Sequence, residues 1–434
     1  MAADVLVLGA GIAGLAAAEC LAAAGRRVLI LEARDRLGGR IHTVDDPALG
    51  HPIELGAEFV HGRPADLVGL FRKSGLTLER MPTRHRGGRG RAPTPVPDIR
   101  DTLARLLDPA GGPLPDMPVA ALLRQRRAEL PSLAGLDPVT RYLEGFHAAD
   151  LGRFGTRSLA ENEAAEDEDG DEPHRVREGY GALVQRLAAR LDPDRAEIRL
   201  ETVVASLRWR DGEVRATVRT AAGESTEIAA PRAIVTLPLP ALTRAAGAAG
   251  AVAIDPEPPG WRQALGALHM GHAQHIVLGF DARWWASQDE DGPAFVTGDV
   301  EPFPVWWSAL PSRQALLTGW IGGPRAASLA GRSEEEVLRL ALDSVASVFG
   351  RDVAEVRTRL RLAYWHDWSA DLFAGGAYSY GGVGAIEARR ALALPVAGTL
   401  FLAGEAVAQH GRNATVHGAL ISGREAAAAL LAQS

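Results

Sequence analysis

A glycine-rich turn between two apolar segments near the amino terminus constrains the fold of this chain most. Gly9, Gly11 and Gly14 give the spacing G-x-G-x-x-G, after a short apolar run and before an alanine-rich stretch with helical character. A second apolar run ends in Glu32, close to the ~20 residues beyond the glycines at which an acid binds ribose hydroxyls. This order predicts a Rossmann-like unit that binds a dinucleotide. A glycine-rich turn in another kind of α/β unit is the alternative.

The three glycines have separate physical roles in such a turn. The first permits the tight bend, the second lets the backbone approach a pyrophosphate, and the third lets the helix pack on the strand. The amino terminus of the helix presents free N–H groups and a partial positive charge to the phosphates. We therefore predict that Gly9, Gly11, Ala13 and Gly14 shape the cofactor site.

Composition limits the class of protein. A chain of 434 residues is too long for one ordinary core, which predicts two domains. Its hydrophobic content of 47%, charged content of 23% and net charge of −7 are those of a globular protein with no electrostatic case for nucleic acid. The single cysteine, Cys20, suits a reducing compartment. With no basic leader and no apolar stretch of ~18 residues, we expect a soluble, cytoplasmic protein without membrane association.

Residues beyond the second apolar run favour FAD over NAD. Glu32 is followed by Arg34 and by Gly38-Gly39-Arg40, which resembles the extended signature of flavoproteins. In that signature Gly-Gly-Arg lies along the pyrophosphate, and arginine has the planar fork for bidentate phosphate contact. We predict that Arg34, Gly39 and Arg40 contact the phosphates. The acid at the end of the second run disfavours NADP.

The next segment carries a resemblance to a family. Gly-Gly-Arg-Ile-His-Thr, followed by Glu-Leu-Gly-Ala-Glu-Phe-Val-His-Gly over 54–62, is similar to the flavin-containing amine oxidases: monoamine oxidases, polyamine oxidases and lysine-specific histone demethylases. The resemblance implies an α/β fold, with a Rossmann-like, glutathione-reductase-type FAD-binding domain and a discontinuous α+β substrate-binding domain. It places Gly56, Ala57 and Glu58 beside the cofactor. It places His61 beside the substrate amine, and a histidine that shapes a loop is the alternative.

The carboxyl-terminal region carries a second, independent motif of this family. An apolar strand ends in Gly404-Glu405, and a helix begins near Thr415 and Val416. The resemblance implies that Glu405 binds the ribityl chain and that N–H groups near Thr415 and Val416 face flavin N1 and O2. A helix amino terminus there would stabilise negative charge on the reduced flavin.

The resemblance also divides the chain into domains. Eight of the nine tryptophans lie in the interval 246–376, and we expect most in a core and a few along an amine pocket. We expect an FAD-binding domain of residues 1–80, 177–245 and 377–434, and a substrate-binding domain of residues 81–176 and 246–376.

Single residues between these motifs extend the resemblance. Val204 matches a valine whose backbone holds adenine, and Trp365 is assigned to the cofactor. Tyr378 matches a tyrosine of the aromatic cage in front of the flavin, and Thr415 takes the second cage position. A packed strand tyrosine is the alternative for Tyr378. Ala377 stands where monoamine oxidases attach flavin through cysteine, which predicts non-covalent FAD.

The chain departs from the family at His275. The segment around it aligns with family residues whose lysine holds a water against flavin N5 and assists reaction with oxygen. A histidine is shorter and largely neutral near physiological pH, so we expect slower reoxidation or an acceptor other than oxygen. The alternative is a shifted alignment, in which His275 only packs in a strand.

A metal site is not predicted at the histidines of this segment. The spacing of His269, His272 and His275 does not hold all three side chains on one strand face or one helix face. No carboxylate or cysteine pattern accompanies them, as a metal site would require.

Two charged stretches have no role in these motifs. Residues 81–135 include the basic run 84–91 and many prolines, which predicts a solvated, partly disordered loop with helical spacing over 99–107 and 119–130. Residues 161–172 are strongly acidic, which predicts a solvated loop. The alternative for the acidic run is the steering of a polycationic substrate to a tunnel mouth.

The resemblance implies FAD-dependent oxidation of a small-molecule amine, most like that of polyamine oxidases. A hydride equivalent passes from the carbon beside nitrogen to flavin N5, and the imine is hydrolysed, with oxygen or another acceptor regenerating FAD. Phe59 stands where amino-acid oxidases place a carboxylate-binding arginine, which disfavours amino acids. Two other classes remain: desaturation or porphyrinogen oxidation on the same fold, and a flavin-binding protein without turnover. A homodimer is left open.

Overall fold

A computed structural model describes residues 3–47, 49–88, 96–108, 113–129, 136–170, 172–286 and 292–433. Within these ranges, no helix combines the length and apolar character needed to cross a membrane. The strands are β1 (Val5–Leu8), β2 (Val28–Leu31), β3 (Thr43–Asp46), β4 (His51–Glu54), β5 (Val60–His61), β6 (Leu78–Arg80), β7 (His85–Gly87), β8 (Pro173–Val176), β9 (Ala196–Arg199), β10 (Thr202–Arg210), β11 (Glu213–Thr220), β12 (Ser225–Ala230), β13 (Arg232–Val235), β14 (Ala253–Asp255), β15 (Leu268–Met270), β16 (Ala273–Phe280), β17 (Phe295–Thr297), β18 (Val305–Ser308), β19 (Leu316–Gly322), β20 (Leu360–Trp365), β21 (Ser379–Gly381) and β22 (Leu400–Leu402).

Helices join and cover these strands. Short 3₁₀ turns lie at Ala326–Leu329 and Glu405–Val407. The α-helices are α1 (Ile12–Ala23), α2 (Ala65–Lys73), α3 (Val96–Leu107), α4 (Val119–Glu129), α5 (Leu136–His147), α6 (Thr156–Asp169), α7 (Tyr180–Ala188), α8 (Leu239–Thr243), α9 (Trp261–Gly266), α10 (Glu334–Phe349), α11 (Val353–Arg359), α12 (Ala385–Leu392) and α13 (Val416–Leu431).

A five-stranded parallel sheet, in the order β22-β13-β1-β2-β9, forms the centre of the dinucleotide-binding half. Side chains alternate along β1, so Val5 and Val7 pack with α1, α7 and α13 on one face. Leu6 and Leu8 pack on the other face with the antiparallel sheet β12-β11-β10-β14. A parallel sheet covered on both faces requires apolar strands throughout, as these are. The expected α/β fold is confirmed.

A second, six-stranded sheet has the order β20-β16-β19-β18-β17-β7. Apolar residues of β16, β18 and β19 pack under α10 and α11 and form a separate core. The sheet draws strands from both segments expected in the substrate-binding domain. However, β14 pairs with β10, and α9 packs in the core around β10 and β11. The exact domain boundaries therefore stay a prediction.

Both charged stretches contain regular structure where the sequence predicted loops. The acidic residues 161–169 lie within α6, so the loop prediction is wrong there, and Asp171 lies outside the described residues. In the basic run, β7 pairs in parallel with β17 at the sheet edge, so the loop prediction is also wrong for three residues. Residues 89–91 lie outside the described ranges. The predicted helical spacing over 99–107 and 119–129 is confirmed by α3 and α4.

Close contact between β1 and α1 depends on Gly14. A Cβ at this position would lie 2.0 Å from the carbonyl oxygen of Gly9. We expect Gly14→Ala to destabilise the protein by about 2 kcal/mol or more, because neither backbone segment can move without unpacking the sheet. The check is thermal unfolding with measurement of the bound flavin.

Gly69 provides a matched control within α2. No atom lies within 4 Å of a Cβ placed there. Gly69→Ala should stabilise the protein by about 1 kcal/mol, because alanine favours a helix interior over glycine. Equal effects of the two substitutions would contradict the packing role of Gly14.

A buried carboxylate, Glu54, joins β4 to two neighbouring segments. It accepts hydrogen bonds from the Thr43 hydroxyl at 2.6 Å and the Tyr180 backbone N–H at 2.7 Å. Burial raises the pKa of Glu54 from its ordinary 4.5 to about 7, although both hydrogen bonds act in the opposite direction. The folded state therefore favours the protonated carboxyl group.

The raised pKa of Glu54 predicts a pH dependence of stability. The contribution of Glu54 to the free energy of unfolding should fall by about 1.4 kcal/mol per pH unit over one interval. That interval runs from the ordinary pKa of the carboxyl group to its pKa in the folded protein. The free energy of unfolding of Glu54→Gln, measured relative to that of the wild type, should therefore rise by roughly 3 kcal/mol between about pH 4.5 and about pH 7.5. Urea unfolding of both proteins across this range is the measurement. Parallel stability curves would show that Glu54 does not titrate in this way.

Candidate functional site

One large cavity, of roughly 2070 Å³, extends from the glycine turn after β1 to the six-stranded sheet. Pockets for drug-sized ligands usually measure about 300–1,000 Å³, so this space exceeds the needs of one small ligand. Most residues assigned to the site from sequence line it. They are Gly9, Gly11, Ala13, Glu32, Arg34, Gly39, Arg40, Gly56, Ala57, Glu58, His61, Val204, His275, Tyr378, Gly404, Glu405, Thr415 and Val416.

Two assigned residues lie outside this lining. Gly14 is behind the turn, where it allows α1 to approach β1. Trp365 ends β20, and its indole N–H donates to the side chain of Gln274 at 3.0 Å. Trp368 lines the cavity instead and donates to the Leu55 carbonyl at 2.6 Å. The geometry thus supports Trp368, rather than Trp365, beside a cofactor.

The phosphate end of the cavity is built from glycine backbone. Gly11 and Gly38 form a parallel bridge, which brings the first glycine turn against the Gly-Gly-Arg segment. Gly9 has φ +104° and Gly39 has φ +59°, conformations that L side chains rarely adopt. Because this floor carries no side chains, backbone N–H groups and the amino terminus of α1 are open to a pyrophosphate. The residues fit a dinucleotide.

Glu32 lies beside this floor at the end of β2, as predicted. Its carboxylate accepts hydrogen bonds from the backbone of Ala10 at 2.8 Å and of Arg34 at 2.9 Å. Each carboxylate oxygen has two lone pairs, so one on each oxygen stays available for a ribose hydroxyl. The arrangement fits the predicted role.

Arg34 has a carboxylate partner within the protein. Its guanidinium donates two hydrogen bonds to Asp371, at 2.9 and 2.7 Å, and lies over the rings of Trp368 and Phe373. Burial opposes ionisation of Asp371, but hydrogen bonds from His366 and Arg34 hold its pKa below the ordinary range. The bidentate fork is therefore occupied, so the structure does not support the expected phosphate contact by Arg34.

Arg40 joins the first motif to the last. Its guanidinium donates to Glu405 at 2.7 Å and to the Ala377 carbonyl at 2.9 Å. Glu405 also accepts from the Ser379 hydroxyl at 2.6 Å and from the backbone of Ala414 at 3.1 Å. Burial opposes ionisation of Glu405, but Arg40 and Ser379 hold its pKa below the ordinary value. A charged carboxylate thus lies where the ribityl contact was predicted.

Helix α13 begins where the sequence predicted. Thr415 is its N-cap: the hydroxyl accepts from the Gly418 N–H at 2.9 Å and donates to the Arg412 carbonyl at 2.7 Å. N-cap hydroxyls satisfy otherwise unpaired N–H groups of the first turn. The Thr415 hydroxyl is therefore committed to the helix, while its residue still borders the cavity next to Val416.

At the far end of the dinucleotide-binding half, Val204 lies next to a β-bulge. The pairing of β10 with β11 shifts between Val204 and Ser206, which leaves Ala205 as the additional residue. Val204 and Ala205 both line the cavity. Bulged residues leave backbone groups outside the ladder, and such groups can bind a ligand.

Two neighbouring cross-strand rows of the six-stranded sheet face the cavity. Side chains two residues apart on a strand share a face, and paired residues of adjacent strands lie side by side. The longer row is His275, Trp320, Val305, Thr297 and Gly87, and the shorter is Trp307, Phe295 and His85.

Aromatic rings dominate this end of the cavity. Trp307 has its ring centroid 5.3 Å from Phe59, 5.9 Å from Trp320 and 6.3 Å from Phe295. We call these four residues the aromatic wall. Such rings suit both the apolar chain of an amine and a nearby cation. The expectation that a few tryptophans border the pocket agrees with this wall, whereas Phe295 and His85 carried no recognisable signal in the sequence.

His275 lies within β16, whose eight residues are all buried. Its Nε2 lies 3.0 Å from the Glu54 carbonyl oxygen, which can only accept, so Nε2 carries the proton. Burial lowers the pKa of His275, and the imidazole is therefore neutral. Its Nδ1 can accept a hydrogen bond but supplies no positive charge.

Tyr378 borders the cavity and donates its hydroxyl proton to the Phe146 carbonyl at 2.6 Å. Burial raises the pKa of the phenol, so the side chain stays protonated and is no base. Its hydroxyl holds the ring in place against α5. These contacts are compatible with both the cage role and a packed tyrosine.

Acidic residues from α6 and its end also line the cavity. We call Glu166, Asp169 and Glu172 the acidic wall. The backbone of Gly62 donates to the Glu172 carbonyl at 3.0 Å, and that of Arg63 donates to the Asp169 carbonyl at 2.7 Å. This contact places the acidic wall beside the strand that carries His61. Arg80 pairs with Glu172 and Arg412 pairs with Asp169, so steering of a polycation stays a prediction.

His61 itself faces the cavity from β5. Its ring lies 6.1 Å from Phe59 and 5.4 Å from Phe146. The predicted position beside a substrate is therefore compatible with the structure. Among the described residues, no group of three or more histidine, cysteine, aspartate or glutamate side chains could hold a metal ion.

Comparison with known structures addresses the fold. The structure of putrescine oxidase bound to putrescine superposes with a TM-score of 0.76 at 22% identity and covers 100% of this chain and 99% of that one. Cyclohexylamine oxidase from Brevibacterium oxydans superposes with a TM-score of 0.79 at 22% identity, with the same coverage. Both likenesses extend over both sheets.

Comparison with known sequences addresses the family. The chain is 30% identical to lysine-specific histone demethylase 1B of Mus musculus over 98% of this chain and 52% of the relative. It is 29% identical to polyamine oxidase 4 of Oryza sativa subsp. japonica, over 98% and 88%. The chain thus spans about half the length of the histone demethylases that it matches.

A family described as flavin containing amine oxidoreductase matches residues 12–431. The match begins directly after Gly9 and Gly11 and extends through the Gly38-Gly39-Arg40 segment, the six-stranded sheet and α13. It confirms the flavin cofactor expected from the sequence. The chain belongs to the family of flavin-containing amine oxidoreductases.

Proposed function

We propose that this protein catalyses the FAD-dependent oxidation of an amine. Bound FAD supplies the redox chemistry by accepting a hydride equivalent from the carbon beside nitrogen, and the imine product is hydrolysed by water. The protein residues bind and orient the amine and exclude bulk water. One observation supports this proposal most strongly. A single cavity is lined at one end by the glycine turns that fit a dinucleotide and elsewhere by the aromatic wall and the acidic wall.

We favour a polyamine-like substrate, although other primary or secondary amines suit the same chemistry. The acidic wall would attract a polycation, and the aromatic wall would accommodate its methylene chain. The rice relative is a polyamine oxidase, and one structural neighbour is a putrescine oxidase with putrescine bound. Both names agree with this preference.

The alternatives have less support from the lining of the cavity. A desaturase or porphyrinogen oxidase acts on apolar or anionic substrates, for which an acidic wall offers no attraction. The hypothesis of a flavin-binding protein without turnover is supported only by His275, which stands where the family has a lysine. Non-covalent FAD, cytoplasmic location and a homodimer stay predictions from the sequence.

The first test is anaerobic mixing of the purified flavoprotein with spermine, spermidine, acetylated polyamines and monoamines. We expect one group to bleach the flavin absorbance, with the polyamines fastest. Admission of oxygen then shows whether oxygen restores the oxidised spectrum. FAD-loaded protein that no amine reduces would contradict the proposal and favour the desaturase or the protein without turnover.

His275→Lys tests the effect of charge at this position. A lysine would introduce a cation, which stabilises the negative charge that develops as oxygen is reduced. We expect reoxidation to accelerate at least about tenfold, which corresponds to ~1.4 kcal/mol of the barrier. Stopped-flow oxidation of the reduced protein is the measurement.

His272→Lys is the control for this substitution. His272 lies on the same segment, outside the cavity lining, and its Nδ1 is 3.0 Å from the Ser369 hydroxyl. This variant should reoxidise like wild type. An unchanged rate in FAD-loaded His275→Lys would count against a role of this position in the reaction with oxygen.

A further inference from the structure

Glu58 places a carboxylate at the inner end of the cavity, beside the aromatic wall. Its side chain is 12% exposed. Oε1 accepts from Arg175 at 2.6 Å and from the Trp307 indole at 3.1 Å, while Oε2 accepts from the same indole at 3.1 Å. A carboxylate has about four lone-pair positions, so Oε2 keeps one for a further donor.

Arg175 approaches Glu58 from outside the cavity. It lies on β8 and does not line the large cavity, and it borders a small separate pocket on the opposite side of Glu58. Its guanidinium lies 5.3 Å from the centre of the Phe59 ring. Arg175 therefore orients the carboxylate through Oε1, and its hydrogen bond leaves the second lone pair of Oε2 unused.

Arg175 pairs with Oε1, and the neighbours of Oε2 add no further positive charge. Neutral His275 adds no positive charge, and the rings of Phe59 and Trp307 present faces that attract one. A charge-assisted hydrogen bond to a carboxylate is stronger than a neutral one. The complementary ligand is therefore a protonated nitrogen with N–H donors.

That nitrogen cannot be the one that is oxidised. Hydride departs from the carbon beside a nitrogen whose lone pair is free to form the imine, so the reacting amine is neutral. We propose that Glu58 binds a second, protonated nitrogen and so selects diamines and polyamines over monoamines. This inference rests on the proposed amine oxidation. It moves Glu58 from the cofactor contacts predicted by the resemblance to substrate selection.

The acidic wall is the competing place for that second charge. It lies beside residues 62–63, which are four or five positions along the chain from Glu58. Four or five fully extended residues span at most roughly 13–17 Å of backbone. Variants at each position distinguish which carboxylate binds the second charge.

The test compares 1,4-diaminobutane with 1-aminobutane, which has the same carbon chain and one nitrogen. Anaerobic stopped flow gives the limiting rate of flavin reduction and the Kd for each amine. In Glu58→Gln, the preference for the diamine should fall about 10- to 100-fold through the Kd, as expected for a lost hydrogen bond between charged groups. The readout is the ratio of the two Kd values, and the FAD content gives the loaded fraction of each variant.

Arg175→Gln gives a result of opposite sign. Removal of the guanidinium leaves the carboxylate uncompensated, so the Kd of the diamine should decrease while that of the monoamine is unchanged. If Glu58 and Arg175 had only a structural role, both variants would bind both amines more weakly. If either single variant folds poorly, the double variant Glu58→Gln/Arg175→Gln removes both charges and should keep the reduced preference.

Glu79→Gln is the matched control. Glu79 also pairs with an arginine near β8, Arg177, but does not line the large cavity. Glu79→Gln should leave the Kd of both amines unchanged. An unchanged preference in Glu58→Gln, or its loss in Glu166→Gln instead, would overturn the inference. Wild-type protein that no amine reduces would contradict the proposed function itself, which is a separate outcome.

Discussion

The ion pair between Arg40 and the buried carboxylate of Glu405 connects the two ends of the chain in the wall of the cavity. Glu405 also accepts from Ser379 and Ala414, so the segment after Tyr378 and the start of α13 depend on the same carboxylate. A buried charge without its partner costs several kcal/mol, roughly 3–5 in measured cases. The Gly38-Gly39-Arg40 segment, the segment after Tyr378 and the start of α13 are therefore coupled through one carboxylate.

A similar pairing changes the meaning of Arg34. Its residue type and position suggested a phosphate contact, but Asp371, far along the chain, occupies its guanidinium. The contact fixes the loop that carries Trp368 against the end of β2. Glycine backbone and the amino terminus of α1 are the groups that fit a pyrophosphate, and they need no side-chain charge. The guanidinium groups of Arg34 and Arg40 thus bind carboxylates of the protein and join distant segments in the wall of the cavity.

Much of the fold could be predicted, because it is encoded in local patterns. Apolar runs, glycine spacing and the N-cap at Thr415 specify β1, the turn and α13 without reference to distant residues. The lining of the cavity was predictable where a motif carried it. The exceptions are informative: Trp365 and Trp368 are three residues apart, and only the bend after β20 decides which of them faces the cavity. The acidic run continues α6, whose Leu159 packs with α3–α5, and Asn162 within the run donates to the Gly411 carbonyl at 2.8 Å.

The sequence by itself determined the dinucleotide-binding unit, its acid at Glu32 and the order of the two halves, since these follow from short-range spacing and periodicity. Only the tertiary structure decided which residues meet across the substrate end. The aromatic wall depends on the register of β16 to β19, which is set by pairing between strands distant in the chain. The orientation of the Glu58 carboxylate depends likewise on Arg175, which β8 brings beside it. Such contacts have no local signature, because hydrogen bonds between strands and packing in three dimensions create them.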